Sequence, residues 1–247
     1  MRKLLLGVLT CLLSANSLAI SELILDPSPQ STSNTCQSYS IAYALAYSGL
    51  WYQAIETPKQ LRELEVIVRK EINSVVQEHN SKNSKGKKIN PYLHATWVEA
   101  VKRVSSNNLK LTLYYPSSPT EYYQKISDIT GITSSDIFGA PIAAVLVKKP
   151  IMTSVQKLNG DSYASGHIVT LLGLTEAVPT NKSIANMDKA FLVLNSAVKS
   201  NQKQFNMCSE EITSGDKKYS ASVNITNDYE LKDWGGKYLL MWIEKNN

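Results

Sequence analysis

The sequence predicts an α+β protein in which a helical part comes first and a sheet part follows. Two observations predict it. From Ile41 to Val104 apolar residues recur at helical spacing behind capping residues, and after Asn108 they gather into short β-rich runs. No internal repeat breaks that order.

The chain opens with Arg2 and Lys3, an apolar run from Leu4 to Leu13, and the small-residue stretch S-A-N-S-L-A. This is the pattern of a secretory signal peptide over residues 1–19, with Ser17 and Ala19 at the cleavage site. The run is too short to span a bilayer, and Cys11 lies inside it, which argues against a lipid anchor. The stretch I-S-E-L-I-L and the turn-rich D-P-S-P lead into polar residues, of which Ser33, Asn34 or Thr35 can cap a helix. That helix carries Ile41, Ala42, Ala44, Leu45, Tyr47 and Leu50, so Cys36 falls in its first turn. A second helix is expected from Pro58 to about His79, with Leu61, Leu64, Val66, Ile67 and Ile72 on its apolar face. A third covers about Thr96 to Val104.

The period then changes. L-K-L-T-L-Y-Y alternates like a strand, and Thr120 to Thr130 has helical spacing. Four runs predict further strands: P-I-A-A-V-L-V, H-I-V-T-L-L-G-L, K-A-F-L-V-L-N-S and K-Y-L-L-M-W-I. The polar stretch from Val198 to Asp233 is expected to be loop-rich, with a hairpin around A-S-V-N-I-T.

With 43% hydrophobic and 19% charged residues the chain has an ordinary globular composition, and residues 20–247 can form one domain with a sizeable core. The formal net charge is +5, two positive charges of which sit at Arg2 and Lys3. The densest basic run, S-K-N-S-K-G-K-K, has no interleaved aromatics and has the composition of a solvated loop, not a nucleic-acid site. Of the three cysteines, Cys36 and Cys208 remain after the leader. An isolated pair in an oxidising compartment commonly forms a disulfide. A bridge to Cys208 is therefore one reading of Cys36, and a nucleophile is the other.

A thiol nucleophile needs a base for its proton, a group to orient that base, and donors for the oxyanion. Cys36, at a helix start, sits where the helix dipole favours the thiolate. His167 follows Gly166 and opens an apolar strand, as a base facing a cleft would. Asn195 closes the run F-L-V-L, where its amide needs a partner that the His167 ring N–H can supply. Gln30, six positions before Cys36, can aim an N–H at the oxyanion beside the Cys36 amide. His79 and His94 have the surroundings of surface or packing residues.

Taken in this order, the residues resemble the papain-like cysteine peptidases. The flanks carry the resemblance further. C-Q-S-Y-S-I-A-Y-A-L is similar to the family's cysteine helix, G-A-P-I-A-A-V-L-V to the strand before its histidine, and S-G-H-I-V-T-L-L-G-L to the histidine strand. F-L-V-L-N-S resembles the Asn-Ser strand and D-W-G-G-K-Y-L-L-M-W-I the closing segment, so the likeness runs from Gln30 to Ile243. His167 and Asn195 fall about 130 and about 160 residues after Cys36, against about 130 to 150 in the family. The resemblance implies a two-lobed fold: a helical lobe over about 30–108 and an antiparallel, β-barrel-like lobe over about 109–247. Cys36 would be the nucleophile, His167 the base, Asn195 the orienter and Gln30 the oxyanion donor.

The chain departs from that pattern in places. Gln37 and Ala197 stand where the family has tryptophan, N-T-C replaces G-S-C, and no long inhibitory segment fits between Ala19 and Gln30. The expected activity is hydrolysis of peptide bonds through an acyl-enzyme, in a secreted or periplasmic monomer. Its partner would be a protein or peptide substrate, with no cofactor or metal, no nucleic acid and no membrane span. Two alternatives remain open: a papain-like binding or inhibitory module with a decayed site, and a cell-wall amidase or acyl transferase.

Overall fold

The computed structural model describes residues 35–130, 145–159, 162–174, 191–194, 208–214, 217–223, 229–230 and 237–247. The leader expected over residues 1–19 lies outside them.

The first helix, α1 (Cys36–Tyr47), is buried from Gln37 through Leu45. A helix enclosed on all sides has no solvent-facing stripe, so its polar side chains must find partners in the interior. Ser38 Oγ lies 2.7 Å from Glu65 Oε1, and Ser40 Oγ donates to the Ile168 carbonyl at 3.0 Å. Thr35 is the N-cap residue, but its hydroxyl makes no capping bond.

Helix α2 (Pro58–Lys82) starts at a full capping box. The Gln60 amide donates to Thr57 Oγ1, and Gln60 Oε1 accepts from the Thr57 amide at 2.9 Å. It runs to Lys82, one turn past the expected end. Its buried stripe is Leu61, Leu64, Val68, Ile72 and Val75, together with Glu65. The expected face is corrected at two positions: Val66 is half-buried and Ile67 is exposed. A 3.6-residue period from Leu61 passes through 64–65, 68 and 72, which turns position 67 outward.

Helix α3 (His94–Val104) buries Trp97, Ala100 and Val101. Its end is a tight turn with Ser106 and Asn107 at φ of 50° and 65°. Asn is among the few non-glycine residues that adopt this region readily. The turn delivers the chain into β1 (Leu109–Tyr114), and α4 (Pro119–Thr130) follows.

The remaining strands are β2 (Val145–Asn159), β3 (Ser162–Leu174), β4 (Phe191–Leu194), β5 (Cys208–Ser214), β6 (Lys217–Val223), β7 (Tyr229–Glu230) and β8 (Leu240–Lys245). The main sheet has the order β1-β8-β2-β3-β4, with β7 added beside β2, and its pairings are antiparallel. Among the described residues this sheet is open, with β1 and β4 at its edges, so they do not form the barrel-like closure that had been expected. Strand β2 runs far beyond the run that predicted it and pairs with β3 as a long hairpin. Pro150 falls in the register shift between Leu146 and Ile151, where a strand can spare an N–H. Strands β5 and β6 form a separate hairpin inside the stretch expected to be loop-rich.

One face of the main sheet packs on the helices. Met152, Ile168, Met241 and Ile243 share a core with Tyr39, Leu45, Leu61, Val68 and Trp97. The other face receives α4 through Tyr122, whose hydroxyl lies 2.8 Å from Thr153 Oγ1. Thr153 Oγ1 also lies 2.9 Å from the Leu239 carbonyl, so the Thr hydroxyl donates there and accepts from Tyr122. Among the described residues no helix is long and apolar enough to cross a membrane.

Candidate active site

Cys36 is the first residue of α1, is half-buried and carries a free thiol. The disulfide reading of this cysteine is thereby set aside. Because the Thr35 side chain leaves the helix N-terminus uncapped, the first-turn amides are available to another acceptor. The sulfur takes that place.

Burial pushes the Cys36 thiol up from its ordinary range. Backbone hydrogen bonds from Ile168, Gln37 and Cys36 itself pull the other way. Only N–H groups can favour a thiolate in this way, so the sulfur rests among main-chain donors. On the other side, the thiol proton has an acceptor in Gln37 Oε1, 3.6 Å from Sγ. The net direction is upward, which leaves the resting group a neutral thiol.

The Ile168 amide is the informative partner. It belongs to β3, and it brings the strand that carries His167 onto the helix that starts with Cys36. Two further bonds fix that contact: Ser40 Oγ donates to the Ile168 carbonyl, and Thr170 Oγ1 donates to the Ser40 carbonyl at 3.3 Å. Residues 168 and 170 thus face α1. Strand alternation sets His167 with Val169 on the opposite side, and Val169 pairs with Thr153, the residue bonded to α4. His167 is half-buried. Among the described residues, the bonds to the sulfur do not include its imidazole.

Asn195 and Gln30 lie outside the described residues. The strand expected to lead to Asn195 is present as β4, which ends at Leu194 opposite Thr170 of β3. The other two histidines have packing partners. His79 Nε2 lies 3.4 Å from the Lys87 carbonyl, and His94 contacts Tyr115 and Trp97.

Beneath the first turn of α1 sits a group that no motif indicated. Glu65 is 1% exposed, contacts Ser38 Oγ, and lies 3.1 Å from Arg69 Nε. The contact with Arg69 lacks hydrogen-bond geometry, so Ser38 is the firmer of the two partners. Ser38 Oγ also lies 2.9 Å from the Thr35 carbonyl. The buried carboxylate therefore ties α2 to the turn that presents the thiol. In the sequence Glu65 is one more charge on a charged helix, and only its place in the 61–64–68 stripe marks it as inward.

Among the described residues no group of three His, Cys, Asp or Glu side chains could hold a metal ion. Comparison with protein-family models, curated proteins and solved structures finds no match to this chain.

Proposed function

We propose that the chain is a secreted papain-like cysteine peptidase, with a two-lobed catalytic domain and a site made of Cys36, His167, Asn195 and Gln30. One observation carries the proposal. Two hydrogen bonds, from Ser40 Oγ to the Ile168 carbonyl and from Thr170 Oγ1 to the Ser40 carbonyl, dock the helix that Cys36 opens onto the strand that carries His167, far away in sequence. A cysteine with only a packing role gains nothing from a helix start ringed by amides.

In this reading His167 takes the thiol proton, and the sulfur attacks the scissile carbonyl as the C–S bond forms. The oxyanion rests on Gln30 and the Cys36 amide. The imidazolium then protonates the leaving amine as the C–N bond breaks. Water, deprotonated by His167, releases the acid and restores the thiol. The mechanism requires the imidazole on the sulfur's side of β3, held there by Asn195.

A second reading has its own observation: among the described residues the sulfur's bonds do not include the imidazole, and burial raises the thiol. This is what a binding or inhibitory module with a decayed site would show. An epoxide-type cysteine-peptidase inhibitor separates the two, read by intact mass and peptide mapping. A single adduct on Cys36, abolished by His167→Ala, is the expected result. A folded, reduced protein that takes no adduct would overturn the peptidase reading in favour of the module.

A further inference from the structure

We propose that the flank formed by the 81–88 loop with Tyr92, Leu93 and Tyr115 docks the protein onto a bilayer surface carrying anionic headgroups. The inference is independent of the thiol chemistry. In the sequence the lysine run has no aromatic neighbours, but the fold supplies them.

The charge is concentrated. Lys82, Lys85, Lys87 and Lys88 are all exposed, and no carboxylate occurs between His79 and Val98. The two acids that bound this stretch, Glu78 and Glu99, are both held by Arg103, at 2.8 and 3.0 Å. Among the described residues, none of the four ammonium groups lies within ion-pair distance of a carboxylate.

The loop is also pinned. Asn80 Nδ2 donates to the Ile89 carbonyl, and the Ile89 amide donates back to Asn80 Oδ1, both at 2.9 Å. Past that clamp, the Tyr92 amide donates to Asn90 Oδ1 at 2.9 Å and Trp97 Nε1 donates to the Pro91 carbonyl at 2.7 Å. The turn so fixed holds Tyr92 and Leu93 outward, 50% and 41% exposed. Tyr115, 44% exposed, joins them through its hydroxyl, 2.6 Å from His94 Nδ1. Of the five large apolar side chains exposed among the described residues, Tyr92 and Leu93 therefore lie on the clamped segment that follows the lysines, and Tyr115 is held to that segment through His94.

Lysines next to a fixed Tyr-Leu-Tyr patch suit a membrane interface. Ammonium groups meet the anionic headgroups as point charges, while tyrosine and leucine enter the boundary layer. A nucleic-acid surface fits less well. The loop has no arginine for bidentate contacts, and Leu93 has no face on which a base could stack.

The test is flotation of the purified protein with phosphatidylcholine vesicles, with and without phosphatidylglycerol. Binding is expected only with the anionic lipid, weakening as salt rises. Replacing three charges, in K85Q/K87Q/K88Q, should lower partitioning on the order of a hundredfold. Y92S/L93S should also weaken it, with both variants retaining the parent melting temperature. Equal binding to neutral vesicles, or lysine variants that bind as the parent does, would overturn the proposal. So would absence of vesicle binding alongside lysine-dependent binding of a short DNA duplex, which would assign the flank to nucleic acid.

Discussion

At the sulfur of Cys36 two effects oppose each other, and their balance can be measured. Burial raises the thiol and the amides of Ile168, Gln37 and Cys36 lower it, with burial winning. In a peptidase only an imidazolium can reverse that outcome, because its full charge exceeds what three amide dipoles supply. His167→Ala must then leave a thiol that titrates above the free-cysteine range of about 8.5, while the parent alkylates well below it. Iodoacetamide rates against pH read both, and identical profiles would favour the decayed module. The raised thiol has a stability consequence as well. With His167 replaced by Ala, its folded pKa lies above the unfolded value, so its contribution is complete below about pH 8.5 and is lost as pH rises through the folded pKa. In that His167→Ala background, adding Cys36→Ala should flatten the fall in melting temperature on the alkaline side, and an unchanged fall would contradict the burial. Glu65 gives a sharper test. Ser38→Ala removes its hydroxyl donor and leaves a buried acceptor short of a partner, at about 1–3 kcal/mol. Urea unfolding measures it, and a loss under about 0.5 kcal/mol would mean that Arg69 alone satisfies the carboxylate.

Between elements, single side chains set how neighbours dock, and Glu121 is the clearest case. Its carboxylate accepts from the Ser117 hydroxyl, the Tyr114 hydroxyl and the Ser117 amide, fastening the start of α4 to the end of β1. Those bonds, the Ser117 hydroxyl first, hold it at about 2. A depressed carboxylate stabilises the fold above its unfolded value of about 4.3, and the contribution is lost as pH falls through the folded value. Glu121→Gln should therefore flatten the fall in melting temperature between about pH 4.5 and about pH 2; a parent-like slope would remove Glu121 from the linkage. Elements of this kind differed in how far the sequence betrayed them. Helix α2 is legible from its Pro58 start and its stripe, but apolar character alone assigns Ile67 to a face that the 61, 64–65, 68, 72 spacing turns away from it. Strand β2 past Lys148 was hidden, since K-K-P-I-M-T-S-V-Q-K neither alternates nor stays apolar. Cys36 at a helix start could be seen from the Ser-Asn-Thr that precedes it. The Ile168 amide could not, because a backbone donor leaves no side-chain signature.

For the molecule as a whole, the pivotal question is whether helices and sheet are stable separately. The resemblance implies two lobes, but the core argues for mutual dependence. Ile168, Met241 and Ile243 pack in one cluster with Tyr39, Leu61 and Trp97, and α1 is enclosed by both parts. The last strand, β8, sits between β1 and β2, so the chain end occupies a middle position in the sheet. Removing residues 238–247 would strip Leu239, Leu240, Met241 and Ile243 from the core and unpair two strands at once. Each such side chain contributes about 1.5–3 kcal/mol by burial, and four together are of the size of a typical domain's whole stability, about 5–15 kcal/mol. The truncated chain should lose its helical circular dichroism along with its sheet. Intact protein should unfold in urea in one transition, with Trp97 fluorescence in a Trp51→Phe/Trp234→Phe/Trp242→Phe variant tracking Trp242 fluorescence in a Trp51→Phe/Trp97→Phe/Trp234→Phe variant. Separate midpoints, or a truncated chain with native helix content, would show that the helical part holds its own core and that the sheet only leans on it.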